Sequence, residues 1–178
     1  MLEATYSGGK WGELKLVPLH ALSLHPGAKV LHYGQAVFEG LKAYKRPQGA
    51  ALFRPMENIE RLGKSAEALC IPTPPKAELL NGIKGLVKNA LHLIPDEPGS
   101  LYLRPTLIGS SAELRVGAGT EYLLYVLACP VAGYFGDIKS EKPPGLTVRT
   151  AHGRVRAARG GIGAAKAGAN YAASLKVL

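Results

Sequence analysis

Cysteine is nearly absent. Cys70 and Cys129 are the only two in 178 residues, and they stand far apart. That excludes a disulfide framework or a thiolate-held metal site. Each lies in an apolar run, ALCIP and VLACP, so both are expected as buried, reduced thiols. The five histidines form no ligand-spaced cluster with cysteines or carboxylates, which leaves a metal site without support. Long hydrophobic runs are missing too: none approaches the roughly 20 residues that cross a bilayer. The opening MLEATYSGGKW has neither a basic start nor an apolar core, so no secretory signal is expected and a cytoplasmic location is. Internal repeats and low-complexity segments do not occur.

Acidic residues are lacking from one region only. Residues 142–178 carry Lys142, Arg149, Arg154, Arg156, Arg159, Lys166 and Lys176 and no Asp or Glu. The other 15 Lys and Arg face all 13 acids, so residues 1–141 are close to neutral and the net charge of +9 is a property of the C-terminal part. Such a region is suited to an anionic partner, either a small anion or a nucleic acid.

What is present describes an ordinary folded domain: 47% hydrophobic and 20% charged residues. ELKLV (13–17) reads as a strand, SLHPG (23–27) as a turn, and LHYGQAVFEG (31–40) as a short irregular or helical piece. LKAYKR and AALFR, joined by PQG, predict a β-hairpin. Residues 55–69 predict a helix that starts at Pro55 and ends before Pro72, Pro74 and Pro75. Its apolar stripe is Met56, Ile59, Leu62, Ala66 and Leu69, leaving Glu60, Arg61 and Lys64 off it. A second amphipathic helix is expected over 77–93 on Leu79, Leu80, Ile83, Leu86, Val87 and Ala90.

Residues 100–109 and 121–131 predict strands. Alternation sets Tyr102 and Arg104 on one face and Leu101 and Leu103 on the other, and Pro105 argues for an edge or a bulge. DIKSEKPPG (137–145) reads as a linker, GLTVRTA (145–151) as a short strand and ANYAASLKVL as an opening helix. The fold class is therefore α+β: a small domain over 1–140, a linker over 141–160 and the start of another domain over 161–178.

The stretch GGIGAAKAGANY (160–171) sets Lys166 among glycines and small apolar residues. A solvated lysine amine titrates near about 10.4 and is a poor nucleophile at neutral pH. Desolvation and neighbouring cations favour the neutral amine, as a Schiff-base lysine requires. Arg154, Arg156 and Arg159 are at hand to supply positive potential. Taken alone, the residues favour the plainer reading, a flexible loop whose lysine stays in water. A dinucleotide fingerprint lacks its third glycine, and a P-loop lacks the Gly-Lys-Ser/Thr order.

SLHPG, LHYGQAVFEGLKAY, RPMENIERLGKSA, SLYLRPTLIG and VRAARGGIGAAKAGANYAASL, in this order and spacing, resemble the branched-chain amino acid aminotransferases. These are fold-type IV enzymes dependent on pyridoxal 5'-phosphate (PLP), and the resemblance runs from about Trp11 to the end. It implies the small N-terminal α/β domain of that fold plus the start of the larger cofactor-binding domain, with the C-terminal part lacking. It implies that Lys166 holds PLP as a Schiff base and moves the proton at the substrate's α carbon. Arg61 would bind the cofactor phosphate, and Tyr171 would stand near the phenolic oxygen. Tyr33, Phe38, Tyr102 and Arg104 would line the substrate pocket, Arg104 receiving the distal carboxylate of glutamate or 2-oxoglutarate. Leucine, isoleucine, valine and their 2-oxo acids are the implied partners, in a homodimer, with no role for nucleic acid or membrane. A glutamate that pairs with the pyridine nitrogen would lie in the missing part. Ala164, Ala165, Ala167 and Ala169 stand where relatives often carry larger or polar residues or glycine. A D-amino acid aminotransferase, an aminodeoxychorismate lyase and a non-catalytic basic binding module are the alternatives.

Overall fold

The computed structural model describes residues 1–132, 145 and 147–176. One antiparallel sheet carries most of the chain. Strand β1 (Leu2–Ser7) turns back into β2 (Lys10–Trp11) and also pairs with β3 (Lys15–Leu16). A five-residue helix, α1 (Lys29–Tyr33), leads through Gly34 at φ +58° into β4 (Ala36–Phe38). The hairpin of β5 (Leu41–Arg46) and β6 (Gly49–Leu52) follows, turning at PQG as expected. Then come helices α2 (Pro55–Ala68) and α3 (Lys76–Asn89) with a 3-10 turn at Leu91–Leu93. The long strands β7 (Ser100–Gly109) and β8 (Tyr122–Val131) close the sheet in the order β2-β1-β8-β7-β5-β6, with β4 also against β7.

The period-2 pattern of β7 decides which face is core. Leu101, Leu103 and Leu107 are fully buried, as are Leu124 and Val126 of β8. Helices α2 and α3 cover that face with Ile59, Leu62, Ala66, Leu79, Ile83, Leu86 and Val87. Each large aliphatic side chain so buried contributes on the order of 1.5–3 kcal/mol. Of the expected stripe on α2, Met56 remains 37% exposed, and Ser65 is buried instead. The reason for Ser65 lies in the site.

Four expectations need correction. Pro105 lies in the interior of the sheet, between β8 and the β4/β5 side. Its carbonyl accepts from Glu39 N at 2.8 Å, and both polar atoms of a strand residue face one neighbour. The missing N–H therefore faces Glu39, in the gap between β4 and β5, where the reciprocal ladder bond is absent. Cys70 and Cys129 are both exposed rather than buried. Cys70 takes φ +54°, and Cys70 N–H reaches Glu67 O at 3.0 Å while Ile71 N–H reaches Ala66 O at 2.9 Å. This is a Schellman motif with cysteine where glycine is usual. It ends α2 before the prolines are reached. Residues 147–151 form no strand, and ANYA (Ala169–Ala172) forms one short helical turn, α4. Of DIKSEKPPG (137–145), only Gly145 lies within the described residues.

Candidate functional site

Three elements meet beside β4. Phe38 N–H donates to Lys166 O at 3.0 Å, Val37 bridges Ala167, and Gly168 N–H donates to Ala36 O at 3.0 Å. The lysine segment is thus docked on the free edge of β4 like a short extra strand. From the other side, Lys166 N–H donates to Ser65 Oγ at 2.8 Å. That bond explains why a serine occupies a buried position on α2. Asn170 secures the turn by donating through Nδ2 to Ile162 O at 2.9 Å and Ala165 O at 2.8 Å.

With its backbone held on both sides, Lys166 projects its amine to 3.1 Å from Tyr171 Oη. The two are five residues apart and are brought together because the chain turns at Gly168 into α4. The Phe38 ring backs the amine, with 4.7 Å from Nζ to the ring centroid, and tilts against Tyr171 at 5.1 Å. An open cavity of about 430 Å³ lies here, lined by Arg61, Arg156, Gly163, Ala164, Ala165, Lys166, Tyr171 and Ser174. Three cations and no carboxylate line it, so it suits an anion. The small residues 163–165 leave one wall without bulk. This donor set fits a phosphorylated pyridine aldehyde: an amine for the aldehyde, two guanidinium groups for the phosphate and a phenol near the amine. Arg156, from the acid-free region, is the arginine that this lining selects.

Arg61 reaches the cavity from α2, but part of its guanidinium is already engaged. Nε and Nη2 donate to the two oxygens of Glu39 at 2.5 and 2.7 Å. The Glu39 carboxylate is buried and also accepts from Asn58 Nδ2 at 3.1 Å and Gly40 N–H at 3.2 Å. Burial pushes its carboxyl up, but the bonds from Arg61, Asn58 and Gly40 outweigh that and hold it below the usual carboxylate range. The same pair raises Arg61, chiefly through the hydrogen bond to Glu39. Glu39 and Asn58 escape sequence reasoning because neither periodicity nor spacing marks them. The one available signal is an acid in the otherwise uncharged run YGQAVFEG.

Tyr102 and Arg104 share a face of β7, as alternation predicts. Arg104 donates through Nε and Nη2 to Tyr102 Oη at 3.1 and 2.9 Å, and its guanidinium lies 4.7 Å from the Phe38 centroid. Phe38 therefore joins the Lys166 and Arg104 groups. Gly40 matters here through what it lacks: a Cβ would stand 2.3 Å from Tyr102 Oη. Tyr33 takes different partners. Its hydroxyl donates to Leu114 O, and the buried Lys29 lies 5.4 Å from its ring while pairing with Glu113 at 3.3 Å. These contacts tie α1 to the 113–115 loop. Among the described residues no helix is long and apolar enough to cross a membrane.

No family model matches the chain. It is 45% identical over 177 residues to a probable branched-chain-amino-acid aminotransferase of Staphylococcus aureus (strain N315), covering 98% of this chain and 49% of that protein. Among solved structures it resembles the Escherichia coli branched-chain amino acid aminotransferase (TM-score 0.61, 24% identity, 98% of this chain, 54% of that one). It also resembles an aminotransferase from Brucella abortus solved with the co-factor PLP bound (TM-score 0.60, 21% identity, 100% of this chain, 57% of that one). The fold is that of the fold-type IV aminotransferases, in part. The chain spans about half the length of the curated relatives it matches.

Proposed function

By sequence the chain belongs with the branched-chain-amino-acid aminotransferases, and on that premise we propose that the whole protein transfers the amino group between leucine, isoleucine or valine and 2-oxoglutarate with PLP on Lys166. The observation that carries this reading is the Lys166 amine, 3.1 Å from the Tyr171 hydroxyl in a cavity lined by Arg61 and Arg156 and by no acid.

When bound, PLP supplies the electron sink that lets charge build at the substrate's α carbon. Everything else falls to side chains. Lys166 would hold the cofactor at its aldehyde carbon through Nζ, and the same amine would move a proton at the substrate's α carbon. Tyr171 orients that amine through its hydroxyl. Arg61 and Arg156 hold the phosphate, where a planar guanidinium suits paired oxygens. Arg104, steadied by Tyr102, takes the distal carboxylate of 2-oxoglutarate, while the rings of Phe38 and Tyr102 give a branched aliphatic side chain its apolar surface. Tyr33 is assigned to the substrate pocket by the family resemblance alone, its hydroxyl being engaged with Leu114 O. Residues 1–140 act as the small domain, 141–160 as the linker, and 161–178 open the cofactor-binding domain. The acid-free region faces a bound cofactor rather than nucleic acid. The protein works in the cytoplasm as a homodimer, a role for which the exposed Leu31, Leu114 and Val116 are suited.

The test uses the full-length protein: incubate with PLP, reduce with borohydride and map the adduct by mass spectrometry. An adduct on Lys166, lost in Lys166→Ala together with leucine–2-oxoglutarate exchange, is expected. An adduct elsewhere, or none, overturns the proposal.

A further inference from the structure

Glu39 is more than a satisfied buried acid. It lies between Phe38, whose N–H holds the Lys166 carbonyl, and Gly40, whose bare Cα leaves room for Tyr102. Across from it α2 presents Asn58, Arg61 and Ser65, spaced three and four residues apart and so on one helical face. Ser65 takes the Lys166 backbone N–H, and Asn58 and Arg61 take the Glu39 carboxylate. Glu39 thus ties the helix that carries the phosphate-facing arginine to the strand that carries the lysine.

The chemistry of the pair shows what the tie does. A guanidinium offers five N–H groups in one plane. Glu39 occupies the edge made by Nε and Nη2, which fixes the orientation of that plane and leaves Nη1 and one Nη2 hydrogen for the cavity. The Arg61 side chain is 58% exposed, so packing alone does not hold it, while that of Glu39 is 1% exposed and immobile. An arginine free in solvent gives up side-chain entropy when it grips an anion. One already clamped does not.

We propose that Glu39 is a positioning residue that pre-orients Arg61 toward the cofactor phosphate, and so sets the preference for a phosphorylated over an unphosphorylated aldehyde. The inference rests on the reading of Arg61 given above. A purely electrostatic role has the opposite sign: a carboxylate close to a phosphate repels it, so removing the charge would tighten binding. Orientation and charge are therefore separable by experiment.

The experiment titrates full-length apoprotein with PLP and with pyridoxal, which lacks the phosphate, and reads Kd from absorbance. Arg61→Ala is expected to remove most of the preference for PLP. Glu39→Gln is expected to lower that preference about tenfold, to leave the pyridoxal Kd within about twofold, and to add nothing in an Arg61→Ala background. An unchanged or increased preference in Glu39→Gln overturns the inference, as does an equal loss for both ligands, the signature of a merely structural role. If Arg61→Ala keeps the full preference, the phosphate reading of Arg61 fails first and this inference falls with it. Should Glu39→Gln not fold, Glu39→Asp keeps the charge but withdraws it by one methylene. It must show the same one-sided loss, and an unchanged preference there counts against the proposal.

Discussion

The amine of Lys166 lies 3.1 Å from the phenolic oxygen of Tyr171, five residues on. This contact is local in sequence, yet it depends on two distant anchors, Phe38 N–H and Ser65 Oγ, which hold the backbone on either side of the lysine. Removing the hydroxyl tests the contact without disturbing the anchors. In Tyr171→Phe the cofactor should still be trapped on Lys166 by borohydride, while kcat falls about tenfold or more, the worth of one hydrogen bond to a charged group. An unchanged kcat would show that the phenol does not serve the amine.

Gly40 and Tyr102 form the second test. A methyl at Gly40 would stand 2.3 Å from Tyr102 Oη and 2.9 Å from its ring carbon Cζ, so the phenol must swing away and release Arg104. Gly40→Ala is expected to raise KM for 2-oxoglutarate about tenfold, and KM for leucine, which keeps the Phe38 ring, by a smaller factor. Equal effects on both substrates would detach Arg104 from the distal carboxylate.

Acid stability follows from Glu39. Its carboxyl in the folded protein titrates below the ordinary value of 4.5, so the unfolded chain takes up the proton first. The stability it lends is complete above that ordinary value and is lost as pH falls through the lowered folded value. Glu39→Gln should therefore melt below wild type at neutral pH, and the gap should narrow as pH drops below about 4.5. A constant gap across that window would mean that the carboxylate's charge contributes nothing.

Cys70 supplies a prediction on stability alone. It holds φ +54° at the end of α2, a region costly for any residue with a Cβ. Cys70→Gly should leave the Schellman bonds intact and stabilise the protein by about 0.5–1 kcal/mol in chemical denaturation. Destabilisation instead would show that the side chain has a partner in the whole protein.

Much of this architecture is legible in the sequence because it depends on local pattern. The alternation of Leu101, Leu103 and Leu107 and the helical stripe of Ile59, Leu62 and Ala66 each predict a buried face, and those residues are buried. Alternation also sets Tyr102 beside Arg104. What escapes is set by long-range pairing. Pro105 misleads because the break between β4 and β5 opposite it is a feature of topology. Cys70 misleads because apolar neighbours in sequence say nothing about which way a side chain leaves a left-handed turn, and Cys129 because they do not tell which end of β8 stays uncovered. Glu39 and Ser65 are invisible for the same reason: their partners lie 22 and 101 residues away.

The tripeptide Phe38-Glu39-Gly40 acts as a ruler for the site. One residue gauges the lysine, the next the arginine on the helix, and the third the tyrosine–arginine couple on β7, at the rise of roughly 3.3 Å per residue of extended chain. The lysine, the helix arginine and the tyrosine–arginine couple therefore cannot be adjusted independently. Insertion or deletion of a single residue here would throw them out of alignment at once, whereas the Pro47–Gln48 turn of the neighbouring hairpin is free to change length.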